Sequence, residues 1–180
     1  LKDAGDVMAG LARPMQHAVN NLVMVMQANM DSVLAGLPPE ERTTVRLARA
    51  AQAARDLEAL VRAFLRVGRP EESGAVDSGR FLAAVQPLLT LVVGRPLTVE
   101  KAGTAPVAPR RPAVDLALVE AFAGARALPR TTPPTARLEG ASLDINWALP
   151  DGAEAVLGEA GIGVEAAVEG GTRLVLPQPA

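Results

Sequence analysis

The sequence predicts an α+β protein in two parts: an antiparallel helical hairpin forming a dimeric four-helix bundle, then a small α/β sandwich. Three observations predict it. Apolar residues recur at steps of three and four through the first third of the chain. A polar stretch with three glycines and a proline, Gly68 to Gly79 (GRPEESGAVDSG), interrupts that pattern. Beyond it, short β-branched runs alternate with short helical ones. The boundary is expected near Glu72, giving a hairpin over 1–72 and a sandwich over 73–180.

The first helix is expected from Asp6 to about Leu34, where Met8, Leu11, Met15, Val19, Leu22, Met26 and Val33 form an apolar stripe. Gly36, Leu37, Pro38 and Pro39 stop it, and Glu40 and Glu41 are expected in the first turn of a second helix, where the macrodipole favours acids. That helix runs to about Val67, with Leu47, Ala50, Ala54, Leu57, Val61 and Phe64 as its stripe, and folds back on the first. Each stripe is wider than one neighbour covers, so a second copy of the hairpin closes the core and the expected state is a homodimer.

In the second part a helix is expected from about Ser78 to Val93, a strand at Leu97 to Lys101, a Pro-rich loop from Gly103 to Pro112 and a helix at Val114 to Ala127. Thr135 to Glu139 and Ser142 to Ala148, parted by Gly140, read as a hairpin. A helix over Asp151 to Gly161 and a last hairpin, Gly163 to Val168 with Thr172 to Leu176, complete a mostly antiparallel sheet.

Composition removes several function classes. With 180 residues and 49% hydrophobic content the chain can bury a core. Cysteine is absent, so thiol nucleophiles and thiolate metal sites are excluded, and a single histidine argues against zinc. A net charge of −2 gives no basic footprint for nucleic acid. The most apolar stretch, Leu88 to Val93, is far below the roughly 18 residues that span a bilayer, so no membrane partner is expected. The chain opens on Leu1, and any upstream targeting or sensory segment lies outside it.

His17, the only histidine, falls mid-helix and is offset from the stripe of Met15, Val19 and Leu22, so its imidazole is expected to face solvent or a partner. Asn21 shares that face one turn later. A neutral imidazole nitrogen is nucleophilic near neutral pH and accepts a phosphoryl group; a surface histidine without a role is the competing reading. Arg13, Gln16 and Asn20 lie within a turn of His17 and are candidate contacts to a partner or phosphoryl group, with solvated helix residues as the plainer alternative. Met24, Met26 and Met30 are expected to pack. Gly158, Gly161 and Gly163 match no phosphate-loop spacing.

The segment His17-Ala18-Val19-Asn20-Asn21-Leu22-Val23 resembles the phosphoacceptor box of sensor histidine kinases, commonly His-Asp-Phe-Asn-Asn-Leu-Leu. Ala50 to Arg66 is similar to the second dimerisation helix of those kinases, and Phe81 to Gly94 with Pro96 to Glu100 to the opening of their ATP domain. Gly124-Ala125-Arg126-Ala127-Leu128-Pro129 resembles the family's Asn-Ala-Arg-Asp-Ala-Met-Pro, with Glu120 and Gly124 standing where magnesium- and nucleotide-binding asparagines belong. The adenine motif and glycine-rich lid are missing, and Ala18 replaces the acid that usually follows the histidine.

The resemblance implies a bacterial histidine phosphotransferase, or a degenerate sensor kinase, with an ATP-domain remnant and no cofactor. It implies a cytoplasmic phosphorelay carrier in which His17 is the phosphoacceptor and Asn21 an orienting or phosphatase residue. The implied partners are response-regulator receiver domains and an upstream hybrid histidine kinase. Two alternatives stay open, a non-catalytic dimeric pseudokinase adaptor and a phosphatase accessory bound to a response regulator.

Overall fold

The structure, a computed structural model, describes residues 4–167 and 170–179, with side chains along the first helix described from residue 14 onward. The chain divides into two compact units, Leu1–Arg69 and Pro70–Ala180, so Glu72 belongs to the second. Together they make a mixed α+β protein. No helix among the described residues is long and apolar enough to cross a membrane.

In the first unit α1 (Ala4–Leu34) and α2 (Arg42–Val67) pack on each other. The turn between them is tied by Gly36 N–H to Val33 O at 3.1 Å and by the Thr44 hydroxyl to Pro38 O at 2.6 Å. The acids expected to open α2 stand before it. Glu41 is the extended residue preceding Arg42, its N–H bonded back to Pro38 O at 3.3 Å, so the proline turn runs through Glu41 and leaves no acid in the first helical turn. At the open end the Arg69 guanidinium donates to Gln16 Oε1, joining residues that only an antiparallel fold-back brings together.

One hairpin buries little of its own stripe. Val23 and Ala51 are buried, and Val19, Leu34, Leu47, Ala54 and Val61 are half-buried. Met15, Leu22, Met26 and Val33 are exposed, as are Leu57 and Phe64, with Leu22 67% and Phe64 60% accessible. The α1 residues of this set are spaced seven, four and seven apart, which lines them along one narrow seam of the helix. The packing expected of the methionines is corrected: Met24 and Met26 are exposed, because a single neighbouring helix covers only one side of α1, and only Met30 is half-buried.

The second unit is built on a five-stranded sheet in the order β2-β4-β5-β7-β6. Its strands are β2 (Thr98–Lys101), β4 (Thr135–Glu139), β5 (Ser142–Ile145), β6 (Gly163–Ala166) and β7 (Thr172–Val175). β2 pairs parallel to β4 and every other contact is antiparallel. Helices α3 (Ser78–Val93), α4 (Ala113–Ala123) and α5 (Ala153–Glu159) complete the layer, with α4 packed against both α3 and α5. Phe81, Leu89, Leu118 and Phe122 from the helices and Leu138, Leu143 and Leu174 from the sheet make the core, alternating along each strand with outward polar residues.

The loop expected at 103–112 contains an element that the sequence conceals. β3 (Pro106–Val107) pairs antiparallel with β1 (Val76–Asp77) in a second small sheet. Buried Ser78 holds it: its N–H bonds Ala105 O at 2.9 Å, and its hydroxyl accepts from Ala105 N–H at 3.1 Å while donating to Gly140 O at 2.6 Å. Asp77 caps α3 by accepting the Arg80 N–H at 3.0 Å. The helix expected to reach Ala127 tightens into a 3-10 turn at Gly124–Ala127. Arg95 donates to the carbonyls of Ala125, Leu128 and Pro129, and Arg126 to Val92 O, which satisfies the ends of both helices.

On the outer face of the sheet one row of side chains crosses all five strands: Glu100, Arg137, Asp144, Arg173 and Glu165 stand opposite one another in register. The signs alternate, so each charge has opposite neighbours. Arg173 grips Asp144 with two hydrogen bonds, 2.7 and 2.9 Å.

Candidate functional site

α1 is continuous through the candidate box, and its 3.6-residue turn decides what each residue of that box meets. His17 is exposed, as are Ala18 and Asn21, so the imidazole is open to a macromolecular partner. Gln16 and Asn20 turn toward α2 and are half-buried. Gln16 is held by Arg69. Asn20 Oδ1 is shielded from solvent and meets no donor among the described residues. The Arg13 backbone lies in the helix, and its side chain falls outside the described residues.

The candidate residues of α1 therefore split into an outward pair, His17 and Asn21, and an inward pair, Gln16 and Asn20. Arg69, at the end of α2, is the functional neighbour missed by reading the sequence locally. The signal that finds it is the turn at 35–41, since folding the chain there sets residue 16 opposite residue 69.

In the second unit, the flank of α4 that the kinase resemblance assigns to nucleotide is filled by protein. A Cβ on Gly124 would stand 2.6 Å from the Ala148 carbonyl oxygen, 3.0 Å from Trp147 Cδ1 and 3.1 Å from Pro150 Cδ. Trp147 donates its indole N–H to Ala121 O at 3.0 Å and meets Phe122 edge-on at 5.1 Å. Glu120, one turn earlier, is exposed, whereas Gly124 is buried. Gly158 lies in α5, Gly161 ends it with a positive φ of 80°, and Gly163 begins β6. Capping and a turn use all three.

No protein-family model matches the chain, and no curated protein matches it.

Elsewhere, Glu100, Arg137, Asp144 and Arg173 of the charged row line an open hollow of about 440 Å³ on the outer sheet face. There the Arg173 guanidinium holds the Asp144 carboxyl below its ordinary 3.8. Asp77 is likewise lowered, first by the Thr104 hydroxyl and next by the Arg80 N–H. Both carboxylates are engaged within the fold. Among the described residues no cluster of three or more His, Asp or Glu could hold a metal ion.

Proposed function

We propose that this chain is a cytoplasmic histidine phosphotransferase of a two-component phosphorelay, accepting a phosphoryl group on His17 from one receiver domain and passing it to another without binding ATP. The observation that carries this reading is the placement of His17, the chain's only histidine, exposed on a long helix with Asn21 exposed one turn on. A phosphoryl donor that is itself a protein needs such access. The filled flank at Gly124 supports a carrier that draws its phosphoryl group from a partner rather than from nucleotide.

The functional unit is a homodimer in which Met15, Leu22, Met26 and Val33 of α1, with Leu57 and Phe64 of α2, meet the same residues of a second copy in a four-helix bundle. In transfer, a ring nitrogen of His17 attacks the phosphorus of a receiver's aspartyl phosphate in line. The bond from phosphorus to the carboxyl oxygen breaks, and its electron pair leaves with the receiver's carboxylate. The second receiver reverses these steps. The receiver supplies its own magnesium, and an upstream hybrid histidine kinase supplies the first phosphorylated receiver.

A second reading rests on Ala18, which removes the proton-accepting acid usual beside the histidine. It makes the chain a dimeric pseudokinase adaptor that binds a response regulator, or an accessory that uses Asn21 to hasten its dephosphorylation. The deciding experiment mixes the full chain with phosphorylated receiver domains of the same organism and follows acid-labile phosphate. Transfer is expected in the wild type and absent in His17→Gln. Receiver binding with no phosphoryl group passing to this chain overturns the carrier role in favour of the adaptor, and faster loss of receiver phosphate that disappears in Asn21→Ala identifies the accessory.

A further inference from the structure

We infer that Asn20 positions the His17 imidazole, its side-chain oxygen accepting the ring Nδ1–H so that Nε2 is left with the free lone pair. Its relevance to transfer rests on the function proposed above; the hydrogen bond itself does not.

Asn20 Oδ1 is the buried side-chain oxygen that lacks a donor among the described residues. An amide oxygen withdrawn from water is stabilised only by finding one. Helical side chains lean toward the N-terminus, so Asn20 reaches back over the turn that carries Gln16 and His17. Gln16 is engaged with Arg69 on the side toward α2. His17, three residues before Asn20, stands at the spacing where helical side chains meet, and its ring is exposed. Ala18 offers that ring no acceptor. Asn21 does offer one, but its amide is exposed and open to competition from water, whereas the oxygen of Asn20 is shielded and meets no donor among the described residues.

The bond chooses a tautomer. In the neutral form, a ring that donates from Nδ1 keeps its nucleophilic lone pair on Nε2, the outer nitrogen and the one a docked partner reaches first. When Nε2 forms the bond to phosphorus, the aspartyl oxygen leaves with the bonding pair. The ring then carries one positive charge, its Nδ1–H still held by Asn20. No proton has to move in the transfer step, so the acid missing at Ala18 is not needed.

A single histidine makes the test clean, because all imidazole ¹⁵N resonances of the full, unphosphorylated chain belong to His17. At mildly alkaline pH the wild type is expected to be mainly the Nδ1–H tautomer. Asn20→Asp, which keeps an acceptor, retains it. Asn20→Leu and Asn20→Ala shift the majority to Nε2–H, and Asn21→Ala leaves the ratio unchanged. With receivers present, Asn20→Leu slows transfer by on the order of tenfold while receiver binding is retained. A wild type that is mainly Nε2–H, or a ratio indifferent to Asn20→Leu and Asn20→Ala, overturns the inference, as does a ratio that responds to Asn21→Ala instead. If the tautomer responds as expected but no receiver labels His17, the phosphotransferase reading falls and the Asn20 contact stands.

Discussion

Asp115→Asn is expected to destabilise the second unit by about 3 kcal/mol, near the lower end of what breaking a buried ion pair costs. Asp115 is 2% exposed, and Arg111, one turn earlier, is 11% exposed. The guanidinium grips both carboxylate oxygens, with Nε at 3.0 and 2.7 Å and Nη2 as a further donor, and its other side lies 5.2 Å over the Phe81 ring. An asparagine has nearly the same volume but can turn only one oxygen to this fork, and the cation is left unpaired. The aromatic face and the small residual exposure offset part of the loss, roughly 1 kcal/mol, which sets the estimate at the lower end. The double variant Arg111→Met with Asp115→Leu leaves no charge behind and is expected within about 1 kcal/mol of wild type. Trp147 is the only tryptophan and is buried in this unit, so its fluorescence during urea unfolding reports the second unit alone. A loss of 3 kcal/mol appears as a roughly 150-fold fall in the folded-to-unfolded ratio. A loss below about 1 kcal/mol in Asp115→Asn, or a double variant as unstable as the single, refutes the reasoning.

Gly171→Ala places a Cβ 2.3 Å from Ile145 O, a backbone atom that cannot turn aside, and should destabilise the same unit by about 1–3 kcal/mol. Gly74→Ala, which meets nothing within 4 Å, should stay within about 0.5 kcal/mol in the same fluorescence assay. The carboxyls of Asp144 and Asp77 are lowered in the fold, so their contributions are present above the ordinary 3.8 and are lost as pH falls through the lower folded values. Acid titration followed at Trp147 should show stability falling below about pH 4, and Asp144→Asn should flatten that slope by less than about 1 kcal/mol, because the pair is partly exposed. Leu22→Glu and Phe64→Glu put charge into the apolar seam and should weaken dimerisation by about 100-fold or more, read as a monomer mass by light scattering. A dimer that survives both, or a monomeric wild type, removes the seam from the proposal.

Both long helices were legible because thirty residues of periodic apolar pattern leave little ambiguity, and the proline pair at 38–39 could only be a turn. The acids at 40–41 misled because helix-start preferences do not say how many residues a proline turn consumes. β1 and β3 escaped notice because two-residue strands carry no alternation and one of them begins with proline; tertiary bonds from Ser78 make them. The charged row was present in the sequence as five scattered residues. Only the register, which includes the parallel step from β2 to β4 across a separation of more than thirty residues, puts them in line. At the candidate site, the exposure of His17 followed from its offset on the helix. The bond from Gln16 to Arg69 spans 53 residues and belongs to the fold-back.

The same helix arithmetic separates the two surfaces that the proposal assigns to α1. At about 100° per residue, His17 stands roughly 160° around the helix from the seam of Met15, Leu22, Met26 and Val33. A second copy docked on that seam leaves the imidazole uncovered, and a partner docked over His17 leaves the seam intact. Between these faces lies the side turned to α2, which carries Val23, Gln16 and Asn20. A polar pair on this inner side gives up some packing that apolar residues would supply. What it would gain, if Asn20 acts as inferred, is an acceptor one turn from His17 and carried on the same helix. Met24, two turns after His17 and well away from the seam, adds an exposed apolar side chain to the outward face. On the proposed arrangement, charge introduced at Leu22 should separate the copies without disturbing the His17 tautomer, whereas Asn20→Leu should change the tautomer and leave the mass alone.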